Sequence, residues 1–235
     1  MLIIAHRGAS KLAPENTLAA IAKARELNAD GIECDVRLTA DGIPVLFHDE
    51  TLERLFGNRI PLSGCTLADL AYIAHGPQEI PTLEQAMEEA KNFSVINIEL
   101  KNNSRWNGKL VKGVAPIIKR YPAEKIIISS FNPVALGRAR RQMSKIRRGL
   151  IIGSGRMGIK SLLVWKKVLG LYSIHLNRQL AGPKWIEPLK AAGLKIFIWT
   201  VDDPDDIKTL TKLGVDGVIT NVPDLMRRGA ADHAG

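Results

Sequence analysis

Eight short stretches of this chain read as strands, and almost every one is followed by a helical pattern before the next begins. They fall at residues 2–6, 31–37, 95–101, 126–130, 147–152, 173–177, 195–201 and 216–221. Within them apolar residues run together or alternate with polar ones, as in strands buried on one or both faces. Helical periodicity occupies 107–120, 133–144, 159–169, 183–192 and 204–213. Earlier helices open at Asn16-Thr17, running to about residue 28, and at Thr82, where Gln85 stands at capping-box spacing. A helix-length connection is what a parallel strand pair requires. Eight such units in 235 residues predict one α/β domain over 1–235, a (β/α)8 barrel of the TIM type. An open doubly wound sheet is the competing arrangement, but no glycine-rich phosphate loop follows the first strand.

One segment breaks the rhythm. Residues 31–49 read GIECDVRLTADGIPVLFHD. Ile32, Cys34 and Val36 alternate with Glu33, Asp35 and Arg37, and Asp41-Gly42 is a hairpin turn signal. So short a link forces the return strand, 43–48, to run antiparallel. With the turn centred on Ala40-Asp41, Glu33 is expected opposite His48, and a slip of one or two residues would keep the histidine beside the acids. Residues 50–80 carry Gly57, Pro61, Gly64, Gly76 and Pro77 and one short helical piece near 66–74. They are expected to form, with the hairpin, a small excursion in the second strand-to-helix loop.

Composition excludes some classes. The chain is 46% apolar and 24% charged, ordinary for a soluble globular protein. Its net charge of +9 favours anionic partners. The basic clusters Arg138, Arg140, Arg141 and Arg147-Arg148 lack interleaved aromatic residues, so nucleic-acid binding is not expected. The longest apolar run, 162–172, is broken by Lys166-Lys167 and is too short to span a bilayer, so no transmembrane segment is expected. Two cysteines, Cys34 and Cys65, offer neither a disulfide framework nor zinc spacing. With the first strand beginning almost at Met1, a cytoplasmic location is expected.

Barrel strands turn their apolar face to the helices, so the polar face of an alternating strand points at the axis. In 95–101 that places Asn97, Glu99 and Lys101 inward. Glu33 and Asp35 are inward by the same rule, and His6 ends its strand. Barrel active sites gather at the carboxyl end of the strands, where these side chains and His48 converge. Three carboxylates cannot sit together ionised without a cation. An all-oxygen ligand set with no paired cysteines favours Mg2+ or Ca2+ over zinc. With such an ion, Arg7 and Lys101 leave the cluster one positive charge in surplus, enough to hold a phosphodiester. His6 and His48 are the candidate acid and base, since imidazoles titrate near neutrality. The alternative is an internal salt-bridge network filling the barrel mouth. His175 also faces inward and is read as a barrel-filling residue, whereas His75 and His233 carry no signal.

His6-Arg7-Gly8, Pro14-Glu15-Asn16-Thr17, Glu33-x-Asp35, His48-Asp49, Glu99-x-Lys101, Trp199-Thr200-Val201 and GVDGVITNVP at 214–223 appear in this order along the chain. In combination they resemble the glycerophosphodiester phosphodiesterase family, whose barrels belong to the phospholipase C-like phosphodiesterase group. The resemblance implies metal-dependent hydrolysis of glycerophosphodiesters to glycerol 3-phosphate and an alcohol. It also implies Glu33, Asp35 and Glu99 as ligands of one Mg2+ or Ca2+, and His6 and His48 as the acid/base pair. Arg7 and Lys101 would bind phosphate, Trp199 would wall the pocket, and Asn221 would contact the phosphate or the metal-bound atoms. Glu15 and Asn16 would hold the first loop, and Asp49 would orient His48.

Two departures from the family pattern stand out. Leu52-Glu53-Arg54-Leu55-Phe56-Gly57 occupies a stretch where a polar, threonine-containing segment is common. That bears on the excursion and so on head-group preference. Asp202-Asp203 follows the tryptophan motif where asparagine is frequent, a change expected to affect only a loop. Lysophospholipase D-type cleavage at the same site and a non-catalytic phospho-ligand-binding barrel are the competing functions.

Overall fold

The structure, a computed structural model, describes residues 1–74, 76–101 and 108–231. Its strands are β1 (Leu2–His6), β2 (Gly31–Leu38), β3 (Pro44–Leu46), β4 (Val95–Leu100), β5 (Ile126–Ser130), β6 (Arg147–Ile152), β7 (Ser173–Asn177), β8 (Lys195–Trp199) and β9 (Gly217–Thr220). All but β3 are parallel, in the order β1-β9-β8-β7-β6-β5-β4-β2, and β1 pairs with β2 to close the ring. The eight-stranded barrel read from the alternation is therefore what the chain forms.

The main helices between the strands are α1 (Leu18–Glu26), α4 (Leu83–Ala90), α5 (Lys109–Ile118), α6 (Pro133–Gln142), α7 (Ile159–Leu169), α8 (Pro183–Ala191) and α9 (Asp205–Lys212). The Thr82/Gln85 box forms in full, with the Thr82 hydroxyl taking the Gln85 N–H and the Gln85 side chain reaching back. Asn107, the expected start of α5, and His75 and His233 lie outside the described residues. A further helix, α10 (Pro223–Ala231), follows the last strand and lies against β1 and α9. It was legible as Pro223 at a helix start with Asp224 in the first turn. Among the described residues no helix is long and apolar enough to cross a membrane.

The hairpin forms with its register one residue from the expected one. Val36 pairs with Leu46 and Leu38 with Pro44, and the Phe47 N–H donates to the Asp35 carbonyl at 3.0 Å. His48 therefore follows the residue opposite Asp35 and does not face Glu33. The loop has three residues, Ala40-Asp41-Gly42, with Thr39 and Ile43 closing it and Gly42 at φ +86°. That is the three-residue hairpin whose last position needs a left-handed residue, here glycine.

Packing separates into three regions. Outward residues of the strands, such as Ile32, Ile98, Ile128 and Leu176, are buried with the inner faces of the helices. Inside the barrel, Ile4, Val95, Ile127, Phe197 and Ile219 form an apolar plug. Burying each such side chain contributes about 1.5–3 kcal/mol. The excursion has its own small core, in which Val45, Phe47, Leu52, Leu62, Cys65 and Leu70 are buried. Its helices are α2 (Glu53–Phe56) and α3 (Leu67–Ile73). Cys34 and Cys65 are both buried and free.

Candidate active site

Register alone brings the acids together. His6 pairs with Glu33 across β1 and β2, and Asp35 pairs with Glu99 across β2 and β4. One carboxylate oxygen from each of Glu33, Asp35 and Glu99 lies within 4.8 Å of the other two, and all three residues are buried. Lys101, just beyond β4, places Nζ 3.0 Å from Asp35 Oδ1 and 2.7 Å from Glu99 Oε1. Arg7 Nε lies 3.1 Å from Asp35 Oδ2, and the Arg7 backbone N–H donates to Glu33 Oε2. Asn16 donates from Nδ2 to Asp35 Oδ2 and accepts the Asp35 N–H. Glu15 pairs with Arg7 at 2.9 Å. Both residues thus tie the first loop to the site.

The charges are unevenly satisfied. Burial lifts Glu33 well above the ordinary carboxylate range, with Asp35 and Glu99 adding to the shift. Burial and the Asp35 charge push Glu99 up to about 7. For Asp35, burial pulls upward but Lys101 and Arg7 overrule it and hold the carboxyl well below its usual value. Lys101 and Arg7 outweigh burial at only one acid of the three. A hard divalent ion among these oxygens would supply the positive charge that Glu33 and Glu99 still need to ionise, so the donor set fits such an ion.

Each candidate acid/base histidine is tied through Nδ1. His6 Nδ1 meets Asn221 Oδ1 at 2.7 Å, and the Asn221 amide donates to Asp202 Oδ2. His48 Nδ1 meets Asp49 Oδ1 at 2.6 Å, in keeping with the orienting part expected of Asp49. Oxygen acceptors at both Nδ1 atoms select the Nδ1–H form and leave Nε2 for the cavity. His6 Nε2 is 3.9 Å from Glu33 Oε2. Burial lowers both imidazole pKa values, and at His6 the Arg7 charge adds to it. Asn221 was expected at the substrate. Its side chain is engaged instead with His6, Ser10 and Asp202, behind the imidazole. Asp202 likewise does more than shape a loop, since its carboxylate also accepts the Asn221 N–H and the Thr220 hydroxyl.

One cavity of about 240 Å3 is lined by both histidines, by Arg7 and Lys101, and by two of the three acids, Glu33 and Glu99. Phe131, Ile151, Trp199 and Ile219 also line it, and Lys101 Nζ stands 5.9 Å from the centre of the Phe131 ring. Trp199 donates from Nε1 to the His175 carbonyl at 3.1 Å and meets Phe131 edge-on at 5.6 Å. Phe131 escaped the sequence reading, although it lies one residue past the end of β5, where barrel sites are built. His175 is buried and its Nε2 lies 3.0 Å from Ser173 Oγ. Burial drives its pKa down to about 3, so it fills the barrel as a neutral ring.

Known proteins are similar to this chain over nearly its whole length. A glycerophosphodiester phosphodiesterase of Caldanaerobacter subterraneus is 35% identical over 97% of this chain and 98% of its own. A phosphodiesterase of Oleispira antarctica, solved in complex with the product sn-glycerol-3-phosphate, superposes with a TM-score of 0.90 at 28% identity, covering 98% of this chain and 97% of that one. The glycerophosphodiester phosphodiesterase of Thermotoga maritima does so with a TM-score of 0.84 at 31% identity, covering 97% of each. The model of the glycerophosphoryl diester phosphodiesterase family matches residues 6–225, and the chain belongs to that family.

Proposed function

We propose that the enzyme hydrolyses glycerophosphodiesters to sn-glycerol 3-phosphate and an alcohol, with His6 and His48 as acid/base pair and Glu33, Asp35 and Glu99 as ligands of one Mg2+ or Ca2+. The observation that carries this reading is that two Nδ1-anchored imidazoles share one cavity with the Glu33 and Glu99 carboxylates, whose oxygens lie within 4.8 Å of an oxygen of Asp35. When bound, the ion withdraws charge from the phosphate oxygens and favours an oxygen nucleophile. Arg7 and Lys101 hold the phosphate and offset the charge that grows on it in the transition state. One imidazole takes the proton of the attacking oxygen at Nε2. The other, in its doubly protonated form, gives its Nε2 proton to the departing alkoxide as the phosphorus–oxygen bond breaks. Lowered pKa values keep an imidazole unprotonated near neutral pH, as the base requires. Asn221 and Asp49 hold the two rings at the angle these transfers need.

Trp199, with Phe131, Ile151 and Ile219, offers an apolar wall to the uncharged part of the substrate. The same wall favours lysophospholipids as a second substrate class. The deciding assay is glycerol 3-phosphate release from glycerophosphocholine and glycerophosphoethanolamine, with and without chelator, beside lysophosphatidic acid release from lysophosphatidylcholine. Turnover of the deacylated substrates that chelator abolishes and added Mg2+ or Ca2+ restores is expected. Binding without turnover would move the protein to the class of phospho-ligand-binding barrels. 31P NMR of early time points distinguishes attack by water from attack by the glycerol hydroxyl, which passes through a cyclic phosphate.

A further inference from the structure

The excursion departs from the family pattern at Leu52–Gly57, and the structure gives that stretch a definite task. Leu52 is fully buried in the excursion core, and Phe56 stacks on Phe47 with ring centroids 6.3 Å apart. Phe47 immediately precedes His48. The single turn of α2 is thus pinned to the end of the hairpin that carries the histidine. The apolar side chains of Leu52 and Phe56 are what pin it.

Between these two anchors stands Arg54, whose guanidinium meets two carboxylates. Nε donates to Asp49 Oδ2 at 2.5 Å. The other two nitrogens grip Glu15, Nη2 to Oε1 at 2.5 Å and Nη1 to Oε2 at 3.0 Å. Glu15 Oε1 also accepts from Arg7 Nη1 at 2.9 Å. Negative and positive groups therefore alternate without a break from Asp35 through Arg7, Glu15 and Arg54 to Asp49, which holds His48 by its hydrogen bond. From its other side, His48 is held at its carbonyl by Arg37 Nε at 2.9 Å.

We propose that Arg54 is a positioning residue for His48: by fixing the free oxygen of Asp49 and tying it to Glu15, it locks the imidazole and keeps the loops carrying Arg7 and His48 in register. Asp49 is a short side chain at the rim, free to turn about its own bonds. With only one oxygen engaged, it would hold the ring through a single hydrogen bond. The planar fork of an arginine fastens both carboxylates at once, which a lysine, with one point of charge, cannot do. Arg54 is 46% exposed, and ion pairs so open to water contribute little to stability. Geometry at His48 is what the arrangement secures.

The test combines kinetics with a direct view of the ring. Arg54→Gln should lower kcat on glycerophosphocholine about 10- to 100-fold, the usual cost of losing a group that orients a site residue, at nearly unchanged KM and melting temperature. Arg54→Lys should recover part of the loss. In an Asp49→Asn background, Arg54→Gln should cost less than about twofold more, because the two act in series. Long-range 1H–15N NMR of histidine-labelled protein should show His48 as a single Nδ1–H tautomer in the native chain and a mixture in Arg54→Gln. The kinetic arm rests on the function proposed above, and native-chain turnover reports on that function separately. The tautomer arm holds whatever the substrate. Native kcat in Arg54→Gln, losses that multiply in the double variant, a change in KM alone, or one unchanged tautomer would each overturn the assignment.

Discussion

Lys101 and Asp35, neighbours across two parallel strands, form an ion pair 3.0 Å long that is nearly closed to solvent. The pair keeps Asp35 ionised in a place where burial alone would favour the acid. It also leaves Lys101 shared with Glu99, so removing it strands two buried carboxylates at once.

Lys101→Met should therefore destabilise the chelated protein by about 3 kcal/mol, the scale of breaking a buried pair from one side. A divalent ion should return much of that loss by taking over the charge. Thermal melts with chelator and with Mg2+ or Ca2+ read both effects. A variant as stable as the native chain in chelator would show that the cluster does not depend on this lysine.

The pH dependence of the ion-free protein has a definite sign at Glu99. Burial and Asp35 raise its pKa from 4.5 to about 7. It therefore favours the fold while protonated, and that contribution is lost as pH rises through this window. The buried imidazoles of His6, His48 and His175 run the other way, their lowered pKa values costing stability as pH falls. A difference isolates the carboxyl. The melting temperature of Glu99→Gln minus that of the native chain, in chelator, should grow between about pH 4.5 and 7. A difference that stays flat across that range would mean Glu99 ionises normally.

His6→Ala and His48→Ala should each cut turnover by about 10²- to 10⁴-fold, the usual worth of a positioned acid or base. Melting temperatures should barely move. Near-native activity in either variant would remove that histidine from the proposed pair.

Gly8 supports the site from below. It sits at φ +77°, beside Arg7 at φ 56°, and a Cβ there would come within 2.5 Å of the Ala20 backbone. Gly8→Ala should cost about 3 kcal/mol from strain and overlap together. Because the shift would carry Arg7 with it, KM for glycerophosphodiesters should rise as well. A native KM would mean that Arg7 does not bind the phosphate or that the loop absorbs the change elsewhere.

Much of this protein is written in local patterns. Hydrophobic periodicity and helix-length spacing suffice for eight parallel strands, because a strand pair with a helical crossover has few ways to close. Two-residue alternation also suffices to point Glu33, Asp35, Glu99 and Lys101 at the axis, since successive strand side chains must face opposite ways. Tertiary structure decided what depends on distance between segments. The hairpin register turned on a three-residue loop, set by a left-handed glycine. Asn221 lies behind His6 because its amide is claimed by Asp202 and by Ser10 and the ring together, partners from opposite ends of the chain. Phe131 faces Trp199, and Arg54 joins Glu15 to Asp49, only once the barrel and its excursion bring their loops side by side. Charge pairing across loops has no period along a sequence, so folding alone brings those partners together.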